Sequence, residues 1–154
     1  MSIIDEEGNV LFDSYFKPIR HTDWWEAESV NGISPEMVAD APYINEKAAE
    51  LYAILSQAHW IIGYNVDFDL NFLVGSDIIT AEECNAFRTE DVMIQFAEIY
   101  GEYSVYHEDY KWQKLTTAAA YYDYDWNVKG IEAHNSLADC FATLFVYHKI
   151  LSGE

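Results

Sequence analysis

The sequence predicts a single domain of the α/β or α+β class. Stretches with strand-like alternation stand at the start of the chain, and most of the remainder spaces its apolar residues as helices do. The 154 residues are about the length of one domain, and 51% of them are apolar, which is enough to form a buried core. We therefore expect one domain over residues 1–154, in which a sheet packs against helices.

The first elements are predicted to be a strand, a turn and a second strand. In SIIDEEGNVLFDSYFKP, the turn EGN is followed by Val10, Phe12 and, after Asp13-Ser14, Tyr15-Phe16, which give an imperfect alternation. The stretch GISPEMVADAP then predicts a short helix, with Ser34 as its N-cap and Pro35 in its first position.

Helices dominate the rest of the chain. NEKAAELYAILSQ has one apolar helical face after the cap Asn45, and HWIIGYN predicts a short buried strand. Asn65 then caps a helix through VDFDLNFLV, on which Phe68 and Phe72 are expected to anchor the helix while Asp69 lies on its other side. TEDVMIQFAEIYGEY and WQKLTTAAAYY predict two more helices. The last helix carries a predicted apolar stripe of Leu137, Phe141, Leu144, Phe145 and Leu151.

Charge is the strongest feature of the composition. Eight Lys and Arg stand against 27 Asp and Glu, so the net charge is −19, and between His21 and Tyr110 only Lys47 and Arg88 are basic. Nucleic-acid affinity rests mainly on Lys and Arg that neutralise phosphates, so this composition disfavours binding to a phosphate backbone. The acidic surface is either a solubility device or a binding surface for a basic, nucleic-acid-binding protein.

The cellular setting is expected to be the cytoplasm, with no membrane partner. The sequence has neither an apolar run of membrane-spanning length nor a signal-peptide pattern at its start. Its two cysteines, Cys84 and Cys140, form neither a disulfide framework nor a metal-binding spacing, which fits buried thiols in a reducing compartment.

Two stretches contain carboxylates that could belong to an active site. In GYNVDFDLNFL, Asp67 and Asp69 fall in the first turn of a helix, where they either favour the helix dipole or point into the crevice above a sheet. In AHNSLADC, Ser136 and Asp139 fit a capping box, which accounts for Asp139 but not for His134. Neither stretch alone decides between a structural and a catalytic role.

Taken together, the two stretches resemble a known family. The order Asn-x-x-Phe-Asp-x-x-Phe-Leu, then His-x-x-x-x-Asp, resembles the second and third motifs of the DEDDh 3′–5′ exonucleases of the proofreading type. EEGNVLFDSYFKP, NGISPEMVADAP and KLTTAAAYYDYDW resemble further segments of these enzymes, so the resemblance runs from Ile3 to Leu151. It implies a ribonuclease H-like exonuclease fold, a mixed sheet flanked by helices.

The resemblance also implies a chemistry. In this family four carboxylates hold two Mg²⁺ or Mn²⁺ ions, which stabilise the attacking and leaving oxygens of phosphodiester hydrolysis, while a histidine deprotonates the attacking water. Carried over, Asp69 and Asp139 are the metal ligands of the second and third motifs, and His134 is the general base. Nucleic acid is then the expected substrate, although the net charge disfavours it.

The remaining two carboxylates of the family come from a D-x-E on the first strand, which we expect to be missing from this sequence. Asp5-Glu6-Glu7 matches the pattern literally, but Gly8-Asn9 marks it as the tip of a hairpin. We therefore expect a DEDDh-like exonuclease domain that is shortened at its N-terminus and inactive alone. The alternative is a non-catalytic acidic binding protein, such as a DNA-mimicking inhibitor of a nucleic-acid-binding partner.

A missing first strand would leave a gap in the sheet. Unpaired strand edges are costly when buried and act as templates for another strand. We expect the gap to be closed either by direct pairing of the remaining strands or by a second chain, most simply in a homodimer.

Overall fold

A computed structural model describes residues 1–20, 22–127 and 135–154 of the chain. The strands in these ranges are β1 (Ser2–Ile4), β2 (Val10–Asp13), β3 (Ile61–Gly63), β4 (Thr89–Asp91), β5 (Tyr103–Ser104) and β6 (Asp109–Tyr110). The α-helices are α1 (Trp25–Asn31), α2 (Ala48–Gln57), α3 (Val66–Gly75), α4 (Ala81–Ala86), α5 (Val92–Tyr100), α6 (Leu115–Tyr121) and α7 (Ser136–Ser152). Two 3₁₀ turns, Glu36–Val38 and Ile44–Lys47, precede α2.

The N-terminal hairpin forms as the sequence predicts. β1 and β2 pair antiparallel, with Ile3 opposite Phe12 and an irregularity in register after Ile3. Gly8 adopts a φ of +82° in the connecting turn, a conformation that glycine adopts without strain. Phe12 is buried, as the alternation predicted, whereas Val10, which the alternation placed on the same face, is 50% exposed.

The strands form three two-stranded ladders within the described ranges. β1 pairs with β2, β3 pairs with β4 in parallel, and β5 pairs with β6 antiparallel. The architecture is therefore mixed α/β, as expected. The β1–β2 and β3–β4 ladders do not pair with each other in the part of the chain that is described. Direct pairing, the first expected way to close a gap, is thus not seen there, and pairing with a second chain stays a prediction.

The core consists of two groups of buried side chains. The larger group joins the N-terminal hairpin to the first half of the chain and contains Phe12, Ile44, Leu51, Leu55, Val66, Leu70, Leu73, Ile78 and Ile79. The second group joins α5, α6 and α7 and contains Val92, Phe96, Ala118 and Val146. The stability of α3 and α7 therefore comes mainly from packing against neighbouring elements rather than from intrinsic helix propensity.

One predicted helix face is wrong, and a second is right only in part, since Phe145 of the α7 stripe packs against the second group of buried side chains. Phe68 and Phe72 do not anchor α3: their side chains are 68% and 53% exposed, because α3 is fixed by Val66, Leu70 and Leu73 instead. On α7 the fully buried residues are mainly small, whereas Leu151 of the predicted stripe is 64% exposed. Because the most buried face of α7 carries small side chains, the helix can pack closely against the alanines of α6. The face that is most buried is therefore not the one that carries the predicted stripe.

None of the helices in the described ranges combines the length and the apolar character needed to cross a membrane. Cys84 and Cys140 are both free thiols and both are half-buried.

Candidate functional site: carboxylates around the start of α7

Asp69 is positioned by a sharp connection between β3 and α3. Gly63 ends the strand, and a Cβ on that residue would lie only 3.0 Å from the Cβ of Val66, so a larger residue would crowd the first turn of α3. Asn65 then adopts a left-handed conformation (φ 68°, ψ 53°), which Asn tolerates better than most residues. This turn sets α3 at the carboxyl end of β3, with Asp69 in its first turn.

Asp91 holds this connection in place. Its carboxylate, at the end of β4, accepts hydrogen bonds from the backbone N–H groups of Asn65 (3.0 Å), Val66 (3.1 Å) and Met93 (2.9 Å). One side chain therefore caps α5 and also satisfies the N-terminal N–H groups of α3, where the predicted cap Asn65 makes no side-chain capping bond. Sequence analysis missed Asp91, although an acid directly before an apolar helical run is a common capping signal.

The start of α7 is not the predicted capping box. Asn135 is the N-cap, and its side chain accepts a hydrogen bond from the N–H of Leu137 at 2.9 Å. The Ser136 hydroxyl instead bonds the Ser2 hydroxyl of β1. The capping explanation for Asp139 therefore does not hold, because Asp139 lies one position beyond the residue that would complete a box with this cap.

Asp69 and Asp139 share an electrostatic neighbourhood around Cys140. The Cys140 thiol donates a hydrogen bond to the backbone carbonyl of Ser2 at 3.4 Å, which ties α7 to β1. Burial, followed by the charges of Asp139 and Asp69, raises the pKa of the Cys140 thiol to about 11. The two carboxylates that the sequence singled out are far apart along the chain but lie close enough to act on one thiol, which itself is inert at neutral pH.

The side chain of Asp69 is exposed, yet nearby groups change the pKa of its carboxyl group. Desolvation raises the pKa of its carboxyl group, the amino group of Met1 lowers it, and the charge of Asp91 raises it again. Asp13, at the end of β2, also contributes to the field at Cys140. Neighbouring ionised carboxylates repel one another, and a bound cation would relieve that repulsion.

The donor set fits a divalent cation only in part. Carboxylate oxygens are the ligands that Mg²⁺ and Mn²⁺ prefer, and the side chains of Asp69 and Asp139 are of this type. Over residues 1–20, 22–127 and 135–154, however, no three His, Cys, Asp or Glu side chains converge as a metal site would require. His134, the predicted general base, lies outside the described residues.

The literal D-x-E match at Asp5 and Glu7 belongs to a turn, as expected. The Asp5 carboxylate accepts hydrogen bonds from the N–H groups of Glu7 (3.0 Å) and Asn9 (2.8 Å), and also from the Asn9 side chain (2.8 Å). The bond from the Asn9 side chain is the main reason that the pKa of Asp5 is lowered. The carboxylate of Asp5 is therefore committed to shaping the hairpin tip.

Tyr64 connects the site to a more distant part of the chain. Its hydroxyl donates a hydrogen bond to the backbone carbonyl of Gln113 at 2.8 Å, just before α6. Burial raises the pKa of the Tyr64 hydroxyl, and the charge of Asp91 adds to the effect, so the group stays protonated. The sequence carried no signal for this contact, because it joins residues brought together only by the fold.

Comparison with known proteins gives the same family as the motifs. The RNase_T exonuclease family model matches residues 2–147. An uncharacterized exonuclease, CP81, of Escherichia phage 186 is 29% identical over 157 aligned residues, which cover 98% of this chain and 78% of that protein. The 3′-5′ exonuclease DinG of Staphylococcus epidermidis is 33% identical over 89 residues, covering 55% of this chain and 9% of that protein. The chain belongs to the RNase_T exonuclease family.

Proposed function

We propose that residues 1–154 form a single 3′–5′ exonuclease-type domain of the DEDDh class. Asp69 and Asp139 are its metal-binding carboxylates, and His134 is its general base. The observation that carries the proposal is the shared neighbourhood of Asp69 and Asp139 around Cys140, in a chain that belongs to an exonuclease family.

The chemistry divides between the protein and a divalent cation. Bound Mg²⁺ or Mn²⁺ would stabilise the charge that develops on a phosphodiester during hydrolysis and would make a bound water more acidic. Asp69 would orient such an ion from the rigid first turn of α3, and Asp139 from the first turns of α7. His134 would accept the proton of the attacking water, a role suited to a side chain whose ordinary pKa lies near neutral pH.

We further propose that these residues do not complete the site alone. The carboxylate of Asp5 is occupied by the hairpin turn, so it is not free to serve as a first-motif ligand. The separate β1–β2 and β3–β4 ladders are consistent with space for a further strand between them. Two more carboxylates, carried on such a strand, would supply the coordination that Asp69 and Asp139 leave to water.

A strand added ahead of Met1 tests this proposal. A variant extended by a strand-forming segment with the pattern Asp-x-Glu is expected to release nucleotides from a labelled single-stranded oligonucleotide with Mn²⁺. Adding Asp139→Asn should abolish that release, whereas the matched control Glu82→Gln, an exposed acid on α4, should not. Release that survives Asp139→Asn would contradict the assigned ligands. No release from any extension that folds would contradict the proposed completion.

A second candidate function follows from the net charge of −19. An acidic, non-catalytic member of the family would bind a basic, nucleic-acid-binding protein by imitating the charge of DNA. Such binding would weaken steeply with salt, because both surfaces depend on screened charges. Competition between this protein and DNA for a basic partner, measured from about 50 to 200 mM salt, separates this candidate from a nuclease.

A further inference from the structure

The β5–β6 hairpin presents an unusual set of exposed aromatic side chains. Tyr106 is 90% exposed, Trp112 is 63% exposed and Tyr103 is 53% exposed, all within ten residues. Single apolar residues on a surface are ordinary, but several large rings on one short hairpin are not. Such rings offer flat π faces to a ligand that can stack on them.

The hairpin is braced rather than loosely attached. Tyr103 and Tyr110 pair across the strands with their ring centres 5.5 Å apart in an edge-to-face arrangement. At the open end of the hairpin, Lys111 forms an ion pair with Glu102 at 2.6 Å, and the Gln113 side chain donates a hydrogen bond to the same carboxylate at 3.2 Å. A braced aromatic surface loses little conformational freedom when a ligand binds to it.

The hairpin is also tied to the candidate site. Gln113, at its base, accepts the hydrogen bond from Tyr64, the residue that lies between β3 and the left-handed Asn65 at the start of α3. Through this bond the base of the hairpin is held beside the connection that positions Asp69. This hydrogen bond is the structural link between the hairpin and the candidate site.

Charge decides what kind of contact the hairpin can make. With few basic residues on the chain, affinity from phosphate contacts is small. Stacking of bases on aromatic rings adds affinity and needs no positive charge. Lys111 is already paired with Glu102, and the exposed acids Glu108 and Asp109 lie in the same hairpin, so contacts to phosphate add little here and the exposed rings are the groups left to bind a base.

We propose that the β5–β6 hairpin is a stacking platform for unpaired nucleotide bases, with Tyr106 and Trp112 as its main contacts. The proposal rests on the proposed function, because it assigns the hairpin to the strand that serves the Asp69–Asp139 site. It is specific for unpaired bases, since a base in a duplex has its faces covered by its neighbours.

Proton NMR of a short oligothymidylate titrated with the full chain at about 50 mM salt tests the platform. Stacking is expected to shift the thymine methyl signals upfield, with little effect from an abasic oligomer of equal length. Joint substitution Tyr106→Ala and Trp112→Ala should weaken binding at least tenfold, and Tyr106→Phe with Trp112→Phe should preserve it. Trp25→Ala, which removes another exposed ring on α1, serves as the control.

Three results would overturn the proposal. The first is equal binding by the abasic oligomer, and the second is unchanged binding by the alanine variant. The third is an absence of shifts with the unaltered chain. In that case light scattering tests for self-association, and self-association that the alanine variant abolishes would identify the hairpin as a protein contact. Loss of hydrolysis is not a readout here, so failure of the platform is distinguishable from failure of the nuclease assignment.

Discussion

Single carboxylates of this protein serve different purposes according to the groups around them. Asp5 accepts several hydrogen bonds and shapes a turn, whereas the carboxyl group of Asp69 is affected mainly by desolvation, with smaller opposing effects from the amino group of Met1 and the charge of Asp91. The pKa values move in opposite directions for this reason, downward for Asp5 and upward for Asp69. An acid with a raised pKa, on a surface shared with a second acid, is the more plausible cation ligand of the two.

The turn role of Asp5 predicts a pH-dependent loss of stability. Its pKa is lower in the folded chain than in the unfolded one, so its charged form contributes stability above the unfolded pKa, and that contribution is lost as the pH falls through the folded pKa. Asp5→Ala should therefore lower the melting temperature at pH 7, and the difference should shrink in acid. Glu6→Ala at the same turn is the control. A difference that is constant across this range would contradict the charge-based explanation.

At the scale of elements, one side chain fixes the geometry of the site. Asp91 joins the ends of β3 and β4 to the starts of α3 and α5 through three backbone N–H groups. Its removal would leave donors without their charged acceptor at two helix starts. The orientation of α3, and with it the position of Asp69, thus depends on a residue outside the motifs.

Replacing Asp91 by Ala should lower the free energy of unfolding by about 2 kcal/mol, in the range for lost caps and charged hydrogen bonds. Glu98→Ala, at an exposed acid on the same helix α5, should change it by less than about 0.5 kcal/mol. Chemical denaturation followed by circular dichroism measures both. Equal effects of the two substitutions would show that the Asp91 bonds do not stabilise the connection.

Sequence predicted some elements well and others not at all. The helices α2, α3 and α7 carry enough apolar periodicity to be recognised, although their caps were assigned incorrectly in part. The strands β4, β5 and β6 have only two or three residues each, too few to show a period, so their formation depends on pairing between segments. The helices α1 and α4 were also missed, because their seven and six residues make no more than two turns, too few for a clear helical period.

The same distinction between local sequence patterns and contacts between distant segments applies to the candidate site. Asp69 and Asp139 could be selected because each lies in a motif of the family, but only the fold places both around Cys140. The sequence analysis placed Asp91 inside a helix, although it is the last residue of β4 and the N-cap of α5. Contacts such as Tyr64 to Gln113 join distant segments and leave no local pattern.

At the scale of the whole molecule, net charge controls the encounter with nucleic acid. Weak binding to DNA is expected at physiological salt, because few cations are available to release counterions from phosphates. Fluorescence anisotropy with labelled single-stranded and duplex DNA at about 150 mM salt should give affinities weaker than micromolar. Micromolar or tighter binding would mean that the acidic surface does not face the nucleic acid.

We propose that residues 1–154 carry two of the four carboxylates of a two-metal nuclease site. Incubation of the 154-residue chain alone with a labelled single-stranded oligonucleotide and Mn²⁺ tests it most directly. We predict no release of nucleotides, with the same outcome for Asp139→Ala. Clear degradation that Asp139→Ala abolishes would contradict the account, because Asp5 and Glu7 would then have to leave their turn and act as the missing ligands.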